Sequence, residues 1–193
     1  MTISTSTSAW EEGFVYNDDV KIAYRDYGPI EGEPILLVQG LGGQLINWPD
    51  HLIDFLINNG FRPIVFDNRD TGLSSRIESD QFNEGNRAKT INSTYIKYFL
   101  RLPIRPPYNL DDMANDSIAI LDHLSIDKSH LLGMSMGGMI AQIIAANHPE
   151  RILTFTLIAS STATPSPLNG PTRDVRKLLM KRQITQMLQW MKE

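Results

Sequence analysis

Gly133-Met134-Ser135-Met136-Gly137, with a further glycine at 138, constrains this chain more than any other stretch. Glycines two residues to either side of a serine permit a turn too tight for side chains at those positions. The run before it, residues 129–133, is short, apolar and of strand type, and residues 139–146 form an apolar helical run. A strand that turns at a serine straight into a helix is a nucleophile elbow, with the hydroxyl held at the carboxyl end of a parallel strand.

The rest of the chain supplies the sheet that such an elbow needs. Residues 34–39, 62–67 and 151–159 are largely apolar runs, the pattern of strands buried on both faces. Residues 12–16 and 20–27 read as two strands joined by the turn Asn17-Asp18-Asp19, an antiparallel edge. Helical spacing covers 49–59, stopping at Asn59-Gly60, and 110–124, where Asp111 and Asp112 suit the positive end of the helix dipole. Residues 76–109 read as polar, proline-bearing loop with one short helix at 95–100, and 171–193 as a basic helix. Alternating strands and helices predict an α/β fold with a mostly parallel sheet flanked by helices. Ligands of such sheets bind beyond the carboxyl ends of the strands, where Ser135 falls.

Composition narrows the function. The 193 residues, 41% of them hydrophobic, suit one globular core, and a net charge of −4 offers no attraction to nucleic acid or an anionic membrane. With no cysteine, disulfides, thiolate metal sites and a cysteine nucleophile are excluded. The Ser/Thr-rich residues 1–8 lack the basic and apolar regions of a secretion signal, and no later stretch is long enough to span a membrane. The expectation is a cytoplasmic protein with no metal.

A serine attacks an acyl carbon only where the resulting oxyanion is stabilised. The elbow offers the backbone N–H of Met136, at a helix N-terminus. Gln39-Gly40-Leu41-Gly42-Gly43, after the third strand, offers a second donor: the N–H of Leu41, or failing that Gly42.

Residues 39–75 and 109–152 together resemble the α/β-hydrolase superfamily, and within it the aclacinomycin methylesterase-like carboxylesterases. The resemblance covers roughly residues 12–165. It implies an eight-stranded fold with a helical lid, no cofactor, and hydrolysis of small carboxylic esters through an acyl-serine. Gln39 stands where many relatives carry histidine before the oxyanion glycine, which leaves the backbone donors in place. The segment Asp67-Asn68-Arg69-Asp70-Thr71-Gly72-Leu73-Ser74-Ser75 matches the family's loop after the fourth strand, a structural feature that caps and pairs with Arg69 rather than a source of the catalytic acid.

Such a site needs an acid and then a histidine after the serine. After Ser135 the chain holds one histidine, His148, behind the elbow helix, and the acids Glu150, Asp174 and Glu193. None fits, nor do His51, His123 or His130 upstream. Where some relatives place the acid, this chain reads Ser160-Ser161-Thr162-Ala163-Thr164-Pro165. The triad acid and histidine are therefore not expected in this chain, nor are the last two strands and most of the lid. Residues 1–11 are expected as a flexible terminus, 12–165 as the N-terminal part of the hydrolase core and 166–193 as the start of the lid. Residues 152–159 would then form an uncovered edge strand, an aggregation hazard. A longer protein, a partner chain that completes the fold, or a decayed gene product would each account for this. A contrasting reading is a non-catalytic small-molecule-binding protein that keeps the pocket. Tyr95, Tyr98, Phe99, Met134 and Met136 are candidates to line that pocket.

Overall fold

A computed structural model describes residues 10–77 and 106–162. The chain divides into two compact units, Met1–Ser160 and Ser161–Glu193, and the described residues belong to the first except for Ser161 and Thr162. The expected helices at 95–100 and 171–193, and with them Tyr95, Tyr98 and Phe99, lie outside the described residues.

Among the described residues six strands form one sheet: β1 (Glu11–Asn17), β2 (Val20–Asp26), β3 (Glu33–Val38), β4 (Phe61–Phe66), β5 (Ser129–Met134) and β6 (Ile152–Ile158), in the order β1-β2-β4-β3-β5-β6. β1 and β2 are antiparallel to each other and β2 to β4, whereas β4, β3, β5 and β6 run parallel. The expected strands are all present. β1 opens at Glu11, and Trp10 packs its ring 5.7 Å from that of Tyr27.

Among the described residues three helices cover the sheet: α1 (Asp50–Asn58), α2 (Leu110–His123) and α3 (Met136–Asn147). Side chains alternate along each strand, so the central strands feed two cores. Ile35, Leu37, Val65 and Leu132 pack with Ile53 and Leu56 of α1 on one face, while Leu36, Val38, Ile64, Phe66 and Leu131 pack with Ile120 of α2 and Ile140 and Ile144 of α3 on the other. Burial on both faces is why these strands read as continuous apolar runs rather than alternating ones.

The start of α2 shows how local sequence sets an element. The Asn109 side chain accepts from the N–H groups of Asp111 (2.7 Å) and Asp112 (3.0 Å), and the Asp112 carboxylate accepts from the Asn109 N–H (2.7 Å). This reciprocal cap contributes about 1 kcal/mol.

β6 is the exception to burial. Every residue of it after Ile152 is exposed, including Leu153, Phe155, Leu157 and Ile158. It is the last strand on its side of the sheet among the described residues, as the sequence led us to expect.

Candidate active site

The carboxyl ends of four parallel strands converge: Gln39 follows β3, Asp67 follows β4, Ser135 follows β5 and Ser160 lies just beyond β6. Ser135 sits at φ 54°, ψ −118° between β5 and α3. For a residue with a side chain this is a strained conformation, costing of order 1–3 kcal/mol unless its surroundings impose it. The surroundings do. The Ser135 N–H donates to the carbonyl of Ile158 (2.9 Å), and its own carbonyl accepts from the Gly138 N–H (3.0 Å) and from the Ser160 hydroxyl (2.8 Å).

The flanking glycines are required by close approach. A Cβ on Gly133 would stand 2.5 Å from the carbonyl oxygen of Gly137, and one on Gly137 would stand 2.0 Å from that of Val38. The first turn of α3 is thus pressed against both its own strand and the end of β3. The Ser135 side chain is exposed.

The glycine loop meets it. A Cβ on Gly40 would lie 3.1 Å from the Ser135 Cβ and 3.2 Å from the Met134 carbonyl oxygen. Residues 40–43 form a tight turn, closed by the Gly43 N–H donating to the Gly40 carbonyl (3.0 Å), with Gly42 at φ 70°. In such a turn the N–H groups of the two central residues, Leu41 and Gly42, are not part of the closing bond. The Met136 N–H opens α3, where helix geometry supplies no internal acceptor. The structure thus brings the Gln39–Gly43 loop and the elbow of Ser135 and Met136 together.

Met134 and Met136, expected to line a pocket, are half-buried and also lean on the two cores, Met134 on the α1 side and Met136 on the α2–α3 side.

Asp67 is committed to backbone, and Asp70 is shared between backbone and the Tyr108 hydroxyl. Asp67 Oδ1 accepts from the Leu45 N–H (2.7 Å) and Oδ2 from the Leu73 N–H (2.9 Å), and Asp70 accepts from the Ile77 N–H (2.6 Å). Arg69 does not pair within its loop. Its guanidinium makes a bidentate pair with Asp116 of α2, both bonds at 2.7 Å, and Asp116 also accepts from the Asn17 amide (2.8 Å). Burial works against the Arg69 charge, but hydrogen bonding and attraction from Asp116 outweigh it and hold its pKa above the usual value.

The histidines lie elsewhere. His148 caps the far end of α3, twelve residues long, which at about 1.5 Å per residue is roughly 18 Å from Ser135. His130 is near the opposite end of β5, where its Nδ1 lies 2.7 Å from the Thr154 hydroxyl and its Nε2 3.2 Å from Glu33. His123 packs against the ring of Tyr24 (5.6 Å), and His51 is exposed in the first turn of α1. Among the described residues, no group of three His, Cys, Asp or Glu side chains could hold a metal ion, and no helix is long and apolar enough to cross a membrane.

Two contributors escaped the sequence reading. In the sequence Asn68 stands out only as part of the loop after the fourth strand and Ser160 only as the place of an absent acid, and their roles depend on which strands are neighbours. A small hydroxyl directly after a buried-strand pattern was the available signal for Ser160.

Comparison with known proteins agrees with this architecture. The family model for the alpha/beta hydrolase fold matches residues 33–186. The chain is 31% identical to rhodomycin D methylesterase of Streptomyces peucetius over 75% of its own length and 40% of the relative's. It is 27% identical to a putative carbamate hydrolase of Variovorax paradoxus over 81% of itself and 48% of that protein. The solved structure of Est816, described as an N-acyl homoserine lactone degrading enzyme, superposes with a TM-score of 0.58 at 27% identity, covering 79% of this chain and 49% of that one. The chain therefore spans less than half the length of these relatives. A mostly parallel sheet with its strand–serine–helix turn, and a family match over well more than half of its residues, make this chain a member of the α/β-hydrolase family.

Proposed function

We propose that this chain carries the nucleophile of a serine hydrolase that cleaves small carboxylic esters through an acyl-serine intermediate. The observation that carries the reading is the backbone of Ser135, held at positive φ with its side chain exposed and Gly40 of the glycine loop against it. Strain of this kind persists where a function needs it. Two relatives support an ester as the substrate class, since a methylesterase acts on a methyl ester and a lactone is a cyclic ester.

In this reading the Ser135 Oγ adds to the substrate carbonyl carbon while a base takes its proton. The carbonyl oxygen becomes an oxyanion that accepts from the N–H groups of Leu41 and Met136. Collapse expels the alcohol, to which the base returns the proton. Water then adds to the acyl-serine, releasing the carboxylic acid and restoring the hydroxyl. No cofactor enters. The base and its orienting acid come from outside these 193 residues, in a longer protein or in a partner chain. The placement of His130 and His148 at the far ends of β5 and α3 supports this.

Ester turnover and fluorophosphonate labelling test the reading, with the chain, its Ser135→Ala variant, and imidazole added as an external base. Turnover of p-nitrophenyl butyrate should sit near background, because loss of the base costs on the order of 10⁶ in rate. Labelling should be slow, dependent on Ser135 and accelerated by imidazole. Rapid Ser135-dependent turnover without imidazole would place a base within the chain. Equal labelling of the alanine variant would remove Ser135 from the role. Saturable ester binding with no labelling under any condition would favour a non-catalytic binding protein.

A further inference from the structure

Asp67 and Asn68 close β4, the strand on the far side of β3 from Ser135. Both are 2% exposed, and they grip the glycine loop at its two ends. At the entry, the Asn68 amide nitrogen donates to the carbonyl of Gln39 (3.2 Å). At the exit, Asp67 Oδ1 accepts from the Leu45 N–H (2.7 Å). The same carboxylate is anchored from behind by the Leu73 N–H (2.9 Å), and the Asp67 carbonyl accepts from the Ser74 hydroxyl (2.6 Å). Gly72 clears the way for this approach: a Cβ there would stand 2.0 Å from Asp67 Oδ2.

We propose that Asp67 and Asn68 are positioning residues that set the donors of the Gly40–Gly43 loop for an oxyanion at Ser135. This rests on the acyl-serine reading above. The loop is glycine-rich and the Leu41 side chain is 69% exposed, so side-chain packing does little to fix where its N–H groups point. A donor 1 Å out of place costs up to about 100-fold in rate, so the loop needs an external brace. The brace carries a cost that packing alone does not explain. Asn68 Oδ1 and Gln39 Nε2 are both buried with no hydrogen-bond partner among the described residues. Each such group is destabilising by about 1–3 kcal/mol. An apolar residue at 68 would avoid the orphaned oxygen, but it would release the Gln39 carbonyl.

The test compares Asn68→Asp, which keeps the shape and loses the donor, with Asn68→Ala and Asp67→Asn. Ser135 phosphonylation by a fluorophosphonate is followed with imidazole supplied, separating the maximal inactivation rate from the probe's half-saturation concentration. Amide hydrogen exchange is read at Gly40–Leu45 and, as an internal reference, in β3 and β5. The expected result is a 10- to 100-fold fall in the maximal rate with half-saturation unchanged, and faster exchange confined to the loop. A lost hydrogen bond with a purely structural role would lower the melting temperature and leave that rate intact, which would overturn the proposal. If Asp67→Asn does not fold, the two Asn68 variants decide. If the parent chain is not labelled at Ser135, the acyl-serine reading fails, and loop exchange alone decides the brace: unchanged exchange in the Asn68 variants would refute it.

Discussion

The hydroxyl of Ser160 donates to the carbonyl of Ser135 at 2.8 Å, reaching from beyond the end of β6 to the residue that ends β5. With the bond from the Ser135 N–H to Ile158 (2.9 Å), it fastens both sides of the strained residue to one neighbouring strand. Ser160→Ala should destabilise the fold by about 1 kcal/mol, the worth of one net hydrogen bond, and should slow imidazole-assisted labelling of Ser135. Urea unfolding and labelling kinetics check the two effects; unchanged labelling would mean that Ile158 and α3 hold the serine by themselves.

Arg69 and Asp116 form a buried pair whose side chains are 8% and 1% exposed. Asp116→Ala leaves a guanidinium in the interior without its counter-charge, and is expected to cost about 3–5 kcal/mol in urea unfolding. Adding Arg69→Met in the same chain should recover much of that loss. A single-variant cost below about 1 kcal/mol would show that the pair is not desolvated in solution.

Two tyrosines among the described residues make the fold sensitive to alkali. Burial, with the carboxylates of Asp26 and Glu11, raises the pKa of Tyr24. Burial and a hydrogen bond with Asp70 raise that of Tyr108 further. An unfolded tyrosine ionises near pH 10. Both phenols therefore contribute their full stability below about pH 10, and that contribution is lost as pH rises from there through their raised folded values. Thermal unfolding between pH 9 and 11.5 should show a falling midpoint, and Tyr108→Phe should flatten the fall. A variant with the same alkaline slope as the parent would exclude Tyr108 as its source.

The exposed strand makes its own prediction. Leu153, Phe155 and Leu157 point to one side of β6 and are 40–47% exposed, beside an edge that no strand among the described residues pairs with. The isolated chain should self-associate as its concentration rises. Phe155→Lys should reduce that association in sedimentation velocity while changing stability by no more than about 0.5 kcal/mol, as at other exposed positions. Equal association in the variant would place the sticky surface elsewhere.

Much of the fold was legible because it rests on local pattern. The runs at 34–39 and 62–67 announce doubly buried strands. The glycines at 133 and 137 announce a turn that the structure realises at φ 54°. What remained hidden depends on strand order. Arg69 finds Asp116 on α2 rather than a partner in its own loop, because β1, β2 and α2 meet there, with Asn17 completing the group. Ser160 and Asn68 act on residues far away in sequence, and neither spacing nor composition reveals that β6 lies beside β5 or β4 beside β3. Met134 and Met136 flank the serine in sequence, yet alternation along the strand and helix leans each toward a different core.

The near-contact of Gly40 with Ser135 also carries a cost in chain entropy. These residues belong to segments separated by roughly ninety-five positions, and closing a loop of that size costs about 4 kcal/mol of chain entropy. β3 pairs with β4 across a short stretch of sequence, whereas its other edge is filled by β5, which lies far along the chain. The entropy of closing the chain thus falls on the contact where chemistry would occur, and a shorter connection between β3 and β5 would make that contact less costly to form.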